Sequence, residues 1–363
     1  MYEFSVPFFN DINTIEQIIR INKTYEKGNI TSFFFALPLN AEDRSTFEQV
    51  RTFDKFIPDF KSIEDTIKYS QDNNIKFIYL LNSPIGFSPL AKYRDKQQEN
   101  LSGLLEKLKK VGCYDVRITN YDILNYVSRN FPEFKIHLST STEYTMLEQF
   151  RNAKKLFPCI TEFIPSYEVN KNFHLLKNLR KSMPDTDVEL IADEGCINGC
   201  PFRIQHPVTF TIPNVSEEEA MEILKAANLY RECYKISGNY IEYLCKAKVI
   251  FPWEVDYYGK IDCKKFKLVG RNVVHPELQV RYYDMYLKGI EEPKSLDNVP
   301  IKLFLLRYRY AYSILEYKVK DIKKYLPSIK YFIKHGKECH YKCGVECTYC
   351  MDKAKKIEQI FKK

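Results

Sequence analysis

The chain has 363 residues, of which 45% are hydrophobic, and its formal net charge is +8. This length is enough to bury one large core, or one core with an appendage. The sequence contains no run of about 18 apolar residues, which excludes a membrane-spanning helix. Because the N-terminal residues enter a strand-like segment without a signal peptide, we expect a cytoplasmic protein.

Strand-like and helix-like patterns alternate along most of the chain. Short apolar runs predict eight strands, at Phe4–Phe8, Ser32–Leu37, Ile75–Asn82, Asp115–Thr119, Lys135–Ser139, Glu162–Pro165, Val188–Ala192 and Lys265–Arg271. Amphipathic patterns predict helices between them, at Thr14–Glu26, Ser62–Asp72, Gln97–Val111, Tyr121–Asn130, Thr142–Ala153 and Glu168–Lys181. Strands that alternate with helices form βα units, and eight such units indicate a (βα)8 barrel of the TIM type.

The seventh and eighth predicted strands are separated by a stretch too long for one crossover helix. We interpret 206–264 as a cysteine-bearing insertion over the barrel mouth, with a helix at Ser216–Glu232. The barrel with its insertion is predicted to occupy 1–275, and a helical, cysteine-rich extension is predicted to occupy 276–363. The helices expected in this extension are Glu277–Lys288, Leu303–Tyr325 and Asp352–Lys363.

The positive charge is concentrated near the C-terminus. From Ile301 to Lys363 the chain has 16 Lys and Arg residues, 6 Asp and Glu residues and eight tyrosines. A basic, aromatic surface suits a polyanion such as RNA, or the docking of a protein partner. The plainer alternative is a solvated helical face.

Eleven cysteines in a cytoplasmic protein favour metal binding over a disulfide framework. Cys196 and Cys200 directly follow the seventh predicted strand, at the end of the barrel where active sites gather. A second group is dense enough to form a site by itself and consists of Cys339, Cys343, Cys347 and Cys350. Four thiolates suit either tetrahedral zinc or an iron–sulfur cluster, and both stay open for this tail group.

Five segments carry a resemblance to a known family. They are Ile75–Asn82, Ile136–Ser141, Asp193–His206 with its pattern Cys-x3-Cys-Pro-Phe-Arg-x2-His, Phe251–Glu254, and Phe266–Arg271. Together they resemble peptidase family U32, also called the collagenase-like peptidases. Two positions depart from the family pattern: Asp193 replaces the usual Asn, and Trp253 separates Pro252 from Glu254.

The resemblance implies chemistry that the family name does not describe. Several members of the family are iron–sulfur proteins that support oxygen-independent hydroxylation of a ubiquinone precursor or of RNA bases, with prephenate as a proposed oxygen donor. The resemblance therefore implies a [4Fe–4S] cluster, with Cys196, Cys200 and Cys245 as matching ligands. The fourth ligand is either Cys233 or a tail cysteine, and in the second case the tail is not an independent site.

Four further residues are candidates for binding and catalysis. Arg203, Arg271 and His206 are suited to bind carboxylates, which arginine does with two parallel hydrogen bonds. Glu194 is a candidate general acid or base at the barrel mouth. The plainer alternatives are that the arginines pair with Asp193 or Glu194, and that His206 caps a backbone group.

The leading hypothesis is an iron–sulfur-dependent enzyme that modifies RNA or a small aromatic substrate without molecular oxygen. The first alternative is a peptidase, although the sequence has no His-Glu-x2-His motif. The second alternative is a non-catalytic iron–sulfur accessory subunit, which would dock on a partner enzyme through its basic tail. A second cluster or a zinc ion in the tail is compatible with all three hypotheses.

Overall fold

A closed barrel of eight parallel strands organises the protein, with neighbours in chain order and β8 paired with β1. The fold is taken from a computed structural model, which describes residues 1–36, 60–194, 196, 198–204, 240–269, 276–301, 303 and 317–361. The strands are β1 Tyr2–Pro7, β2 Gly28–Phe35, β3 Lys76–Leu81, β4 Asp115–Ile118, β5 Lys135–Leu138, β6 Ile160–Phe163, β7 Asp187–Ile191 and β8 Lys265–Lys267. The predicted (βα)8 barrel is confirmed.

Helices cover the outside of the barrel. Those between β1 and β7 are α1 Ile12–Thr24, α2 Phe60–Asp72, α3 Ala91–Lys110, α4 Tyr121–Asn130, α5 Leu147–Leu156 and α6 Phe173–Ser182. Those after β7 are α7 Tyr240–Lys246, α8 Val255–Gly259, α9 Pro276–Glu291, α10 Val319–Lys323, α11 Ile329–His335, α12 Cys339–Lys342 and α13 Tyr349–Phe361. Within the described ranges, none of these helices combines the length and the apolar character that a membrane crossing requires.

Two of the predicted helices begin later than their sequence patterns suggest. The expected start of α5 is instead a 3-10 turn at Thr140–Thr142, which ends at Glu143 in the left-handed conformation, with φ of 53°. The expected start of α6 is a 3-10 turn at Tyr167–Val169. Amphipathic periodicity does not distinguish these turns from helix, and both of them lie at the carboxyl end of the barrel.

Two further predictions need correction, and one lies outside the described residues. β8 ends at Lys267 rather than Arg271, because only Lys265–Lys267 pairs with β1 and β7. The predicted helix Leu303–Tyr325 is interrupted, because Lys318 forms an antiparallel bridge with Pro300 before α10 begins. The predicted helix Ser216–Glu232 lies outside the part of the chain that the structure describes.

Helix α9 packs as part of the barrel wall, although the sequence division assigned it to the extension. Its Tyr286 donates a hydrogen bond to the carbonyl oxygen of Ile250 at 2.6 Å, and its Asp284 accepts one from Tyr25 of the first βα unit at 2.8 Å. The ring of Phe4 in β1 contacts Tyr286 edge-on, with 5.7 Å between ring centroids. Burying each aromatic side chain of this kind contributes roughly 1.5–3 kcal/mol. The contacts hold α9 between the first and last units of the barrel.

The barrel interior contains a buried network of charged side chains. Nη2 of Arg117 lies 2.8 Å from Oε2 of Glu189 and 3.5 Å from Oε1 of Glu162. Nδ1 of His137 lies 2.8 Å from the same oxygen of Glu162, and its Nε2 lies 2.9 Å from Oδ1 of Asp115. These residues occupy neighbouring strands β4 to β7, so the strand register itself brings the opposite charges together.

Candidate active site at the carboxyl end of the barrel

The chain leaves β7 in a conformation fixed by neighbouring strand ends. The backbone N–H of Val269, just after β8, donates to Oδ1 of Asp193 at 2.8 Å. The carbonyl oxygen of Ala192 accepts from the backbone N–H of Ile250 at 2.7 Å. Asp193 therefore ties together the ends of β7 and β8. The cysteine-bearing loop begins from this rigid point.

The thiols of Cys196 and Cys200 lie in hydrogen-bond contact with each other. This contact, together with burial, raises the pKa of Cys196 far above its ordinary value. Gly199, between the two cysteines, adopts φ of 69°, which suits glycine, and its N–H donates to Oε1 of Glu168 at 2.7 Å. The loop is thus folded back and anchored to the segment after β6. Protonated thiols release their protons when they bind a metal, so the raised pKa does not prevent the two thiols from serving as ligands.

Arg203 lies beside this thiol pair and is held by an acidic residue that sequence reasoning missed. Its Nε donates to Oε1 of Glu143 at 2.6 Å, and its guanidinium stacks on the ring of Tyr167, 4.5 Å from the centroid. Burial lowers the pKa of Arg203, but the carboxylates of Glu194 and Glu143 outweigh burial and hold it above its ordinary value. Arg203 therefore stays positively charged beside Cys196.

Glu143 and Glu194 form a pair of carboxylates around Arg203. Burial raises the pKa of Glu143, and the charge of Glu194 raises it further, whereas Arg203 and the hydroxyl of Ser166 lower it, with a net shift upward. Ser166 donates to Oε2 of Glu143 at 2.5 Å. The mouth therefore holds two carboxyl groups in different surroundings, an arrangement that suits proton transfer. The sequence signal for Glu143 was its position directly behind the polar end of β5.

The remaining predicted residues fall in other places. His206, Arg271 and Cys233 lie outside the described residues, so their predicted roles stay predictions. Cys245 on α7 is buried, and burial, together with the charge of Cys350 in the tail, raises the pKa of Cys245 to about 12. Its predicted role as a cluster ligand also stays a prediction.

The four tail cysteines surround one small cavity. The cavity has a volume of about 20 Å³, and its walls include Cys339, Cys343, Cys347 and Cys350. Asn198, which lies between the two mouth cysteines in sequence, also lines it. Among the described residues, no three His, Cys, Asp or Glu side chains already stand in positions to hold a metal ion. The tail thiols therefore face a common space without converging on a point.

Comparisons with known proteins agree with the sequence resemblance. The model of "Peptidase family U32" matches residues 48–191. A curated protein of Methanocaldococcus jannaschii, "Uncharacterized protease MJ1657", is 20% identical over 359 residues, which are 96% of this chain and 95% of that protein. The chain resembles peptidase family U32.

Two solved structures are similar to parts of the chain. The U32 peptidase Mk0906 matches with a TM-score of 0.45 and 9% identity, over 74% of this chain and 92% of that one. A GH113 β-mannanase, AaManA from Alicyclobacillus acidocaldarius, matches with a TM-score of 0.33 and 8% identity, over 59% of this chain and 82% of that one. The U32 resemblance itself rests on the sequence motifs and the family match.

Proposed function

We propose that this U32-like protein is an iron–sulfur-dependent enzyme whose active site lies at the carboxyl end of the barrel. The observation that carries the proposal is the contact between the thiols of Cys196 and Cys200 beside the guanidinium of Arg203. The reaction class proposed is oxygen-independent hydroxylation of RNA or a small aromatic substrate. This reaction is the one that the resemblance to the U32 family implies.

The donor set at the mouth fits an iron–sulfur group in its chemistry. Such clusters are held by cysteine thiolates, and a buried cation beside them offsets the negative charge of the ligated cluster. Cys196 and Cys200 would supply two ligands, and Cys245 and Cys233 stay the predicted candidates for further ones. When bound, the cluster would supply electron transfer or an open iron position.

The side chains of the chain itself would bind and orient the substrate. Nε of Arg203 is engaged by Glu143, so its terminal nitrogens would hold a carboxylate of a co-substrate such as prephenate. Glu143, whose two oxygens accept from Arg203 and Ser166, would hold the guanidinium in place, and Glu194 would act as the general acid or base. Tyr167 beneath Arg203 fixes the plane of the guanidinium and therefore the direction from which the carboxylate approaches.

The test is metal analysis of anaerobically purified protein. We expect about four irons and four acid-labile sulfides per chain in the wild type, as for one [4Fe–4S] cluster. The variant Cys196→Ala/Cys200→Ala should lose them. The control Cys159→Ala removes a half-buried thiol elsewhere on the barrel and should keep them. Wild-type protein without iron, or a double variant that retains its iron, would overturn the proposal.

A peptidase is the alternative, and its support is the name of the curated relative. A serine peptidase would need a hydroxyl nucleophile that its substrate can reach. Ser166, whose hydroxyl donates to Glu143 at the mouth, has an exposure of 0%, so a peptide bond cannot reach it. Hydrolysis of casein or gelatin by metal-free protein, with the same rate in the Cys196→Ala/Cys200→Ala variant, would favour the peptidase over the proposed enzyme.

A further inference from the structure

The cavity in the tail is lined by positive charge as well as by cysteines. Besides the four thiols and Asn198, its walls contain Lys246, Lys248, Tyr331, Phe332 and Met351. Lys246 and Lys248 come from the insertion before β8, whereas Tyr331 and the cysteines come from the tail. The cavity therefore lies at the junction between the barrel and its extension.

Lys248 is a buried lysine for which the described part of the chain offers no carboxylate partner. Its exposure is 6%, and it forms no ion pair with a carboxylate among the described residues. Its Nζ lies over the ring of Phe332, 5.3 Å from the centroid. Lys171 has the same surroundings, with Nζ 5.9 Å from that ring, but it is paired with Glu254 at 2.6 Å. Since a buried charge is costly unless it is paired, the cavity beside Lys248 is suited to a group with negative charge.

The backbone places the four cysteines around the cavity from three sides. Cys343 and Cys347 face each other across a tight turn, in which the N–H of Gly344, at φ of 81°, donates to the carbonyl oxygen of Cys347 at 3.0 Å. Cys339 begins the short helix α12, and Cys350 lies in the first turn of α13. The hydroxyl of Tyr331, which also lines the cavity, lies 3.3 Å from Sγ of Cys347.

We propose that Cys339, Cys343, Cys347 and Cys350 bind one Zn²⁺ as thiolates, with Lys248 as the buried counter-charge. Four thiolates and one Zn²⁺ carry a net charge of about −2. This negative charge would pair with the buried positive charge of Lys248. One water-sized probe needs roughly 10–15 Å³, so the scale of a cavity of about 20 Å³ matches a single ion. Binding requires the thiols to turn inward, as in sites where metal binding is coupled to folding.

This zinc site is separate from the thiol pair of the proposed function. Cys196 and Cys200 do not line the cavity, although Asn198 between them does. Binding of Zn²⁺ would join three elements of the extension to the loop that carries the mouth cysteines. The ion would thus hold the tail in place beside the active site, and its role does not depend on whether the mouth carries iron.

The first test is zinc content and affinity in the full chain. We expect about one zinc per chain in the wild type and in Cys196→Ala/Cys200→Ala, and none in Cys347→Ala/Cys350→Ala. Lys248→Met should lower the affinity for Zn²⁺, measured by competition with a chromophoric chelator, by at least about tenfold. Lys337→Met, which removes an exposed lysine of the tail, should leave the affinity unchanged.

The second test does not require a cysteine variant to fold. Removing the metal from wild-type protein with a chelator should make the segment after Tyr325 more sensitive to trypsin, and adding Zn²⁺ alone should restore protection. Protein that binds no Zn²⁺, zinc that is lost only with Cys196 and Cys200, or iron retained by the tail cysteines would each overturn the proposal.

Discussion

Nζ of Lys171 lies 2.6 Å from Oε2 of Glu254, and the side chains of both residues are at least 94% buried, with 4% and 6% exposure. The same carboxylate oxygen accepts the backbone N–H of Phe251 at 3.0 Å. This pair connects the segment between β6 and α6 with the Pro-Trp-Glu turn before α8. Glu254 therefore has a structural role at a position where the sequence departs from the U32 pattern.

Breaking this pair from one side should be strongly destabilising. Lys171→Met leaves the carboxylate of Glu254 buried without its partner, and we expect the free energy of unfolding to fall by about 3–5 kcal/mol. Urea denaturation followed by circular dichroism measures the loss. In Lys171→Met/Glu254→Leu both charges are absent, so most of the stability should return. A single variant as stable as the wild type would show that the pair is not buried in solution.

His137 should make stability depend on pH in a defined window. Burial lowers its pKa, but Glu162 and Asp115 outweigh burial and raise it to about 9, above the unfolded value of about 6.5. The stabilisation from His137 is therefore fully present below pH of about 6.5 and is lost as the pH rises through about 9, by about 3 kcal/mol in total.

Denaturation at a series of pH values from 6 to 10 tests this expectation. Buried thiols such as Cys113, whose pKa is raised by burial, also reduce stability at alkaline pH, so the informative quantity is the difference between two proteins. His137→Gln should be less stable than the wild type at pH 6, and the difference should shrink toward pH 10. A difference that does not change with pH would contradict a charged His137.

Arg203 should determine the affinity of the mouth for carboxylates. In Arg203→Met, Glu143 and Glu194 lose the cation between them, and a carboxylate ligand loses its charged donor. We expect prephenate binding, measured by calorimetry, to weaken by about 1.5–3 kcal/mol, which is roughly tenfold or more. Arg20→Met removes an arginine with 77% side-chain exposure on α1 and should bind as the wild type does. Equal binding by the wild type and Arg203→Met would remove Arg203 from the site.

The strands and the position of the mouth could be predicted from the sequence, because each depends on a local pattern. Short apolar runs identified all eight strands, and Cys196 and Cys200 were placed correctly because they follow the apolar run of β7 directly. Glu143 could not be found in this way. Glu143 and Arg203 are 60 residues apart in sequence. Their contact depends on the left-handed backbone of Glu143, which follows a 3-10 turn, and the amphipathic pattern predicts helix at this turn.

The surroundings of Cys245 and Lys248 also could not be predicted from the sequence. Cys245 was proposed as a ligand from its position in the family pattern, and its surroundings in the structure follow from the packing of α7 against α13. Lys248 carries no motif at all. Its importance follows from burial without a carboxylate partner among the residues that the structure describes, and only tertiary structure determines this.

Gly336 should control how the tail docks on the barrel. A Cβ atom at this position would lie 2.0 Å from the carbonyl oxygen of Lys171, a distance at which backbone must move. Gly336→Ala should therefore loosen α11 and α12 and destabilise the protein by about 1–3 kcal/mol, as other overpacked sites do. Gly103→Ala is the matched control, because nothing lies within 4 Å of its Cβ and alanine favours the interior of α3. Hydrogen exchange in the tail should increase in Gly336→Ala alone, and equal protection in both variants would show that the tail does not pack against Lys171.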